Sequence, residues 1–318
     1  LGSGYSRAHL EQQLNQLFLF ITKMNSMKLK GLAAIASGLL VIGCGKRDGG
    51  GDGQTTNIQN KGSDTMLQLA QAWSEMYAKK NPDVRVAVSG GGSGTGIAGI
   101  INGVVDIANC SRAMKPGEAE KAKEAHGVEA SQFIMGLDCL AVYVHKDNPL
   151  EKITIEQLGQ IFGEDGTITK WSQLGVDPPE GKDEIVRLSR QSNSGTYVYF
   201  KETVIPEGKS FKPGSLDMHG SKEVVELTAK TPGAIGYSGM GYATDEVKML
   251  LVAKKDGDKA FAPNNENALS GDYPIARPLF MYTLGKPKPH VKAYLDWCLS
   301  PEGQKVVEAT GYVPAPKK

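Results

Sequence analysis

Cysteine is scarce in this 318-residue chain, with four residues and no CxxC spacing among them. That excludes a disulfide-stapled scaffold and a redox or metal-binding cysteine motif. Five histidines lie scattered, none four residues from another and none beside a cysteine. No metal and no cofactor are therefore expected. The 39 glycines follow no three-residue period, and 40% apolar content excludes both a collagen-like chain and wholesale disorder. Charge of one sign is missing too. Lys and Arg number 36 against 35 Asp and Glu, with no basic stripe of the kind that binds nucleic acid. No apolar run approaches the roughly 20 residues of a bilayer-spanning helix. The sequence also lacks GxxxxGK[ST] and GxSxG, and no His stands near a candidate Ser, which argues against a P-loop nucleotidase and a triad hydrolase.

The amino-terminal region reads as a processing signal. Met27-Lys28-Leu29-Lys30 is a short cationic start, followed by the apolar run Gly31 to Ile42 and then Gly43-Cys44. A run of this length suits a secretory h-region. A small residue directly before cysteine resembles a bacterial lipobox, so Cys44 is the expected lipidation site. Residues 1–43 are read as leader and lipoprotein signal peptide, and the glycine-rich residues 44–56 as a flexible tether. Without residues 1–43, 32 basic residues stand against 34 acidic ones. Cys110 and Cys139 sit in apolar strand-like runs, where buried free thiols are the favoured reading and a bridge stays open.

Beyond the tether, strand and helix signals alternate. Strands are expected at 57–61, 84–88, 104–109 and 137–145, with helices at 65–80, 96–102 and 118–124. A second stretch repeats the theme, with helices at 155–162, 196–203 and 221–231 and strands at 184–188, 234–237, 248–253 and 275–283. Residues 264–272 read as a polar loop, and helices at 290–299 and 301–309 close the chain. This alternation implies an α/β fold with largely parallel sheets in two lobes.

Three segments share one design: a strand, then glycine and hydroxyl residues, then a helix start. They are Gly62-Ser63-Asp64-Thr65, the run 89–96 (SGGGSGTG) and the run 190–196 (RQSNSGT). Helix N-termini expose unpaired N–H groups and a positive dipole end, glycine lets the backbone approach closely, and Ser or Thr adds a hydroxyl. Three such turns aimed at one point would replace an oxyanion's water, with Arg190 adding a bidentate pair. Ser111-Arg112, after the strand 104–109, is a fourth candidate. Each feature alone also fits an ordinary cap or connection. The match of residues 94–99 to GxGxxG lacks the ribose-binding acid at a second strand end, which disfavours a dinucleotide site.

These segments, together with DIANCSR (106–112), GAIGY (233–237), YPIARPL (273–279) and SPEGQKVVEATGYVP (300–314), occur in the same order in one family. Over residues 57–315 the chain resembles the substrate-binding lipoproteins of ABC-type phosphate importers. The resemblance implies a two-lobed periplasmic binding protein of type II-like topology, with two hinge strands near 139–145 and 278–283. Lobe 1 would comprise 57–139 with 278–318, and lobe 2 residues 140–277. It further implies a monomer, not an enzyme, that closes on inorganic phosphate outside the cytoplasmic membrane and delivers it to an ABC-type permease. The family's ligands map onto Asp64, Thr65, Ser93, Ser111, Arg190, Ser194, Gly195 and Thr196; Ser63, Gly94 and Arg112 complete the candidate set. Well-known members carry an aspartate at the Ser111 position, which accepts the proton of hydrogen phosphate, and a threonine at the Asp64 position. Asp64 is therefore either a replacement acceptor or a cap of the following helix. Sulfate or molybdate is the alternative ligand, and a secreted phosphatase with Ser93 or Ser194 as nucleophile is the rival from another class.

Overall fold

The computed structural model describes residues 55–177 and 179–316; the leader, Cys44 and nearly all of the tether lie outside the described residues. Strand β1 (Thr56–Gly62) alternates buried and exposed residues. It pairs in parallel with β2 (Val84–Ser89), Ile58 opposite Val86, and with β3 (Ile107–Cys110), Gly62 opposite Asn109. Helix α1 (Leu67–Lys80) joins β1 to β2 and buries Leu69, Ala70, Trp73 and Tyr77 at helical spacing. Its Trp73 indole donates to the Gly303 carbonyl at 2.8 Å, tying α1 to α9 (Pro301–Ala309). Helix α2 (Ser93–Ile101) returns the chain to β3 and packs Ile97 and Ile100 against Ala108 and Cys110. Leu69 and Trp73 of α1 instead share a cluster with Ile58, so the two helices cover opposite faces of the sheet.

Two long strands carry the chain across the molecule. Residues 130–139 of β4 (Ala130–His145) pair antiparallel with β11 (Ala276–Leu284). From Leu140 onward β4 pairs instead with β8 (Ala234–Gly239), Leu140 opposite Gly239. Strand β8 lies parallel to β6 (Val186–Arg190), which lies parallel to β7 (Leu216–Met218). The resulting order is β2-β1-β3-β11-β4-β8-β6-β7. Each half thus contributes three parallel strands, and the antiparallel pair β4–β11 between them makes the whole sheet mixed. Pro278 is tolerated because β11 meets β3 only from Phe280 onward, leaving the proline's missing N–H without a ladder to break.

In the second half, α5 (Gly195–Val204) follows β6 and α6 (Ser221–Lys230) leads into β8. Helix α5 adds Phe200 and Val204 to a core centred on Phe162, Phe200 and Tyr237, the last two stacked with centroids 3.8 Å apart. Helix α6 instead packs Val224 with Leu188 and Ala234, and Val225 with Ala141 and Tyr143. Helices α3 (Pro116–His126), α4 (Ile155–Phe162) and α8 (Pro289–Cys298) complete the covering layers. Cys110, Cys139 and Cys298 are buried free thiols.

Two local expectations need correction. Residues 264–272 hold a short helix, α7 (Asn265–Ser270). Asn264 caps it by accepting from the Asn267 amide at 2.9 Å, but it buries only Ala268 and so has no apolar stripe to announce it. The strand expected over 248–253 breaks at buried Leu250. β9 (Val247–Met249) joins β4, whereas β10 (Leu251–Ala253) pairs in parallel with β5 (Lys152–Thr154) in a separate small sheet.

Candidate functional site

Parallel strands with helices on opposite faces open a crevice beyond their carboxyl ends. Here β1, β2 and β3 end at Gly62, Ser89 and Cys110, and β6 ends at Arg190. All four turns that follow meet along one seam, buried at Ser63, Thr65, Ser93, Ser111, Ser194 and Thr196 and open at Gly91 and Asn193. The Ser63 hydroxyl donates to Ser111 Oγ at 2.9 Å, and Ser93 Oγ lies 3.4 Å from the same atom while accepting the Ser111 N–H at 3.0 Å. Thr65 Oγ1 and Thr196 Oγ1, from opposite halves of the sheet, lie 2.8 Å apart. The Gly94 amide donates to the Asn193 carbonyl at 3.0 Å, and the Asn193 side-chain amide donates to the Gly91 carbonyl at 3.0 Å.

Glycine is required at two points of this seam. A Cβ on Gly195 would stand 2.2 Å from Ser93 Oγ and 2.7 Å from Ser111 Oγ, far inside contact distance. Gly92 has φ +87° and its Cβ would lie 2.5 Å from the Asn193 carbonyl. Helix α2 begins at Ser93, three residues before the expected Gly96, because Gly92 accepts the Thr95 and Gly96 amides and so closes the first turn early. Ser194 caps α5, accepting from the Thr196 and Tyr197 amides, which leaves its hydroxyl hydrogen available to a further acceptor.

Arg190 is wholly buried. It donates to Ser221 Oγ at 3.0 Å, to the His219 carbonyl at 2.9 Å and to Asp64 Oδ2 at 3.3 Å, while its Nε has no hydrogen-bond partner among the described residues. Burial pulls its pKa below the usual guanidinium value, against the opposing charge of Asp64. Asp64 does not cap α1: that helix has no side-chain cap, and Asp64 Oδ1 instead accepts the Gly91 amide at 2.9 Å. The carboxylate thus reaches from the first turn to the second and on to Arg190.

Of the sequence-derived candidates, Ser63, Asp64, Thr65, Ser93, Gly94, Ser111, Arg190, Ser194, Gly195 and Thr196 come together at this seam. Arg112 does not share its contacts. Its guanidinium forks onto Glu118 at 2.7 and 2.8 Å, in the first turn of α3. Burial alone would raise the Glu118 carboxyl, but Arg112 and the Lys115 amide bring it below the usual range.

Two charged residues of the seam escaped sequence reasoning. Arg277 and Asp138 face each other across the β11–β4 ladder, both fully buried, with Arg277 Nε and Nη2 donating to Asp138 Oδ2 at 3.0 and 2.8 Å. Burial pushes the Asp138 carboxyl upward, against the pull of Arg277. Arg277 Nη1 also donates to the Ser111 carbonyl at 3.0 Å, and Nη2 to Thr196 Oγ1 at 3.0 Å and Thr65 Oγ1 at 3.4 Å. The available signal was a lone charge inside each of two apolar strands, since a buried charge needs a partner. No group of three or more His, Cys, Asp or Glu among the described residues could hold a metal.

Comparisons with known proteins bear on this arrangement. Residues 49–302 match a family model described as PBP superfamily domain. A phosphate-binding protein PstS of Pseudomonas aeruginosa is 34% identical over 276 residues, covering 84% of this chain and 85% of that protein. The chain belongs to the PstS family. Among solved structures, a putative phosphate ABC transporter substrate-binding protein of Clostridium perfringens, described with bound phosphate, aligns with TM-score 0.70 at 29% identity, covering 82% of this chain and all of that one. An ABC-type phosphate transport receptor of Vibrio cholerae aligns with TM-score 0.63 at 25% identity, with the same coverage. The mixed α/β fold of this PstS-family chain is that of periplasmic binding proteins.

Proposed function

We propose that the chain is an extracytoplasmic receptor that binds inorganic phosphate at the seam and delivers it to an ABC-type permease. The observation that carries this reading is the convergence of four hydroxyl-bearing turns, two of them at helix N-termini, on a buried arginine. The hydroxyls of Ser93, Ser111 and Ser194, one hydrogen of the Thr65–Thr196 pair, and the first amides of α2 and α5, at Ser93 and Gly195, supply donors of the type a dehydrated tetrahedral anion needs. Arg190 supplies countercharge. Asp64, held by the Gly91 amide and Arg190 rather than by its own helix, serves as acceptor for the proton of hydrogen phosphate. Sulfate carries no such proton at neutral pH, so the carboxylate would meet it as a like charge.

The long strands β4 and β11 act as the hinge, with residues 57–139 and 278–318 on one side and 140–277 on the other. Closure about them would form the contacts between Thr65 and Thr196 and between Gly94 and Asn193. Lipidation at Cys44 and the glycine-rich tether would hold a monomeric receptor near the membrane. A phosphatase reading gains no support: neither Ser93 Oγ nor Ser194 Oγ has a carboxylate or imidazole partner among the described hydrogen bonds.

A thermal-shift panel of phosphate, sulfate, arsenate and molybdate tests the reading. Phosphate and arsenate should raise the melting temperature and sulfate should not, because only a ligand that favours the folded state stabilises it. Asp64→Asn should weaken phosphate binding and admit sulfate. If that variant keeps phosphate tight and sulfate out, Asp64 is not the acceptor.

A further inference from the structure

We propose that Arg277, clamped by Asp138, is a positioning residue that fixes the Thr65–Thr196 hydroxyl pair so that its one free hydrogen points toward the bound anion, and so makes tight binding depend on the closed arrangement. The inference rests on the anion-binding reading above. A guanidinium can only donate. With Nη2 donating to Thr196 Oγ1 at 3.0 Å and, more weakly, to Thr65 Oγ1 at 3.4 Å, both hydroxyl oxygens accept from it. Neither hydroxyl can turn its hydrogen back toward Arg277. One hydrogen serves the 2.8 Å bond between the two threonines, and the other must go to an acceptor on the far side of the pair. An oxyanion is the acceptor that suits it.

The placement gives the arrangement its second property. Thr65 follows β1 in one half of the sheet, and Thr196 lies in the first turn of α5 in the other. Arg277 stands on β11, opposite Asp138 and one residue from the point where β4 changes partners. Asp138 itself accepts the Met240 amide just beyond β8 at 3.0 Å, so the pair is anchored to both halves at the crossover. Because two of its N–H groups meet Asp138, Arg277 offers the threonines an aligned donor without adding net charge to the seam.

The test is calorimetric titration of phosphate into the full chain and its variants. Arg277→Lys keeps a positive charge beside Asp138 but loses the fork. It should weaken phosphate on the order of tenfold, the size of one lost hydrogen bond to an ionic group. Thr196→Val should weaken the wild type by a similar factor yet have little further effect in the Arg277→Lys background, while Ser93→Ala should weaken both backgrounds equally. Should Arg277→Lys fail to fold, the pair Asp138→Asn with Arg277→Met removes both charges together and is read the same way. Wild-type affinity in either Arg277 variant, or losses at 277 and 196 that simply multiply, would overturn the proposal while leaving phosphate binding intact. A wild-type chain that takes up no phosphate would overturn both readings.

Discussion

Two fully buried arginines reach the first turn of the same seam, one at Asp64 and the other at Thr65, and are held in different ways. Arg277 meets a fully buried carboxylate with two N–H groups at 2.8 and 3.0 Å. Arg190 touches its carboxylate through one nitrogen at 3.3 Å, that carboxylate is partly exposed, and Nε has no partner among the described residues. A buried charge must be matched, and the closeness of the match separates building from binding. Arg277 is committed to the frame, whereas Arg190 retains donor capacity and charge for a ligand. Arg112 lies between the two: it forks onto Glu118 as a framing arginine does, but that carboxylate is partly exposed and Arg112 Nε, like Arg190 Nε, has no partner among the described residues.

The sharpest way to break that contrast is to remove each guanidinium in turn. Arg277→Ala strands Asp138 in a dry interior and should destabilise the fold by about 3–5 kcal/mol, read as a fall in denaturation midpoint. Asp138→Asn in the same chain should recover much of that loss. Arg190→Ala should lower the midpoint less but weaken phosphate binding by about 2–4 kcal/mol in a titration, because the anion loses its countercharge. Equal stability losses in the two alanine variants would erase the distinction.

The Arg112–Glu118 pair gives the smallest effect and a pH signature. Its carboxyl titrates below the usual range when folded, so the pairing stabilises fully above the unfolded value of about 4.3 and fades as the pH falls through the lower folded value. Glu118→Gln should flatten the acid side of the stability profile by about 1 kcal/mol and leave phosphate affinity unchanged. A loss of affinity in that variant would return Arg112 to the binding site.

The hydroxyl-rich turns were legible in the sequence because glycine with Ser or Thr, between a strand and a helix, is a local pattern with a local cause. The strands and helices flanking them were legible for the same reason, since burial imposes periods of two and 3.6. Asp138 and Arg277 were not, because a single charge in an apolar strand reveals neither its register nor its partner 139 residues away. The role of Asp64 was legible only as a choice between cap and acceptor, and its bond to the Gly91 amide depends on how the second turn folds back. Asn265–Ser270 and the break at Leu250 were hidden because short elements of mixed polarity establish no period.

Arsenate offers the most direct test of where the anion sits, since its arsenic scatters anomalously and its tetrahedral oxygens match those of phosphate. A crystal grown with arsenate should show one arsenic peak whose oxygens lie within hydrogen-bond distance of Arg190, Thr65, Ser93 and Thr196. An arsenic peak away from that seam, with the four turns bearing no anion, would contradict the account.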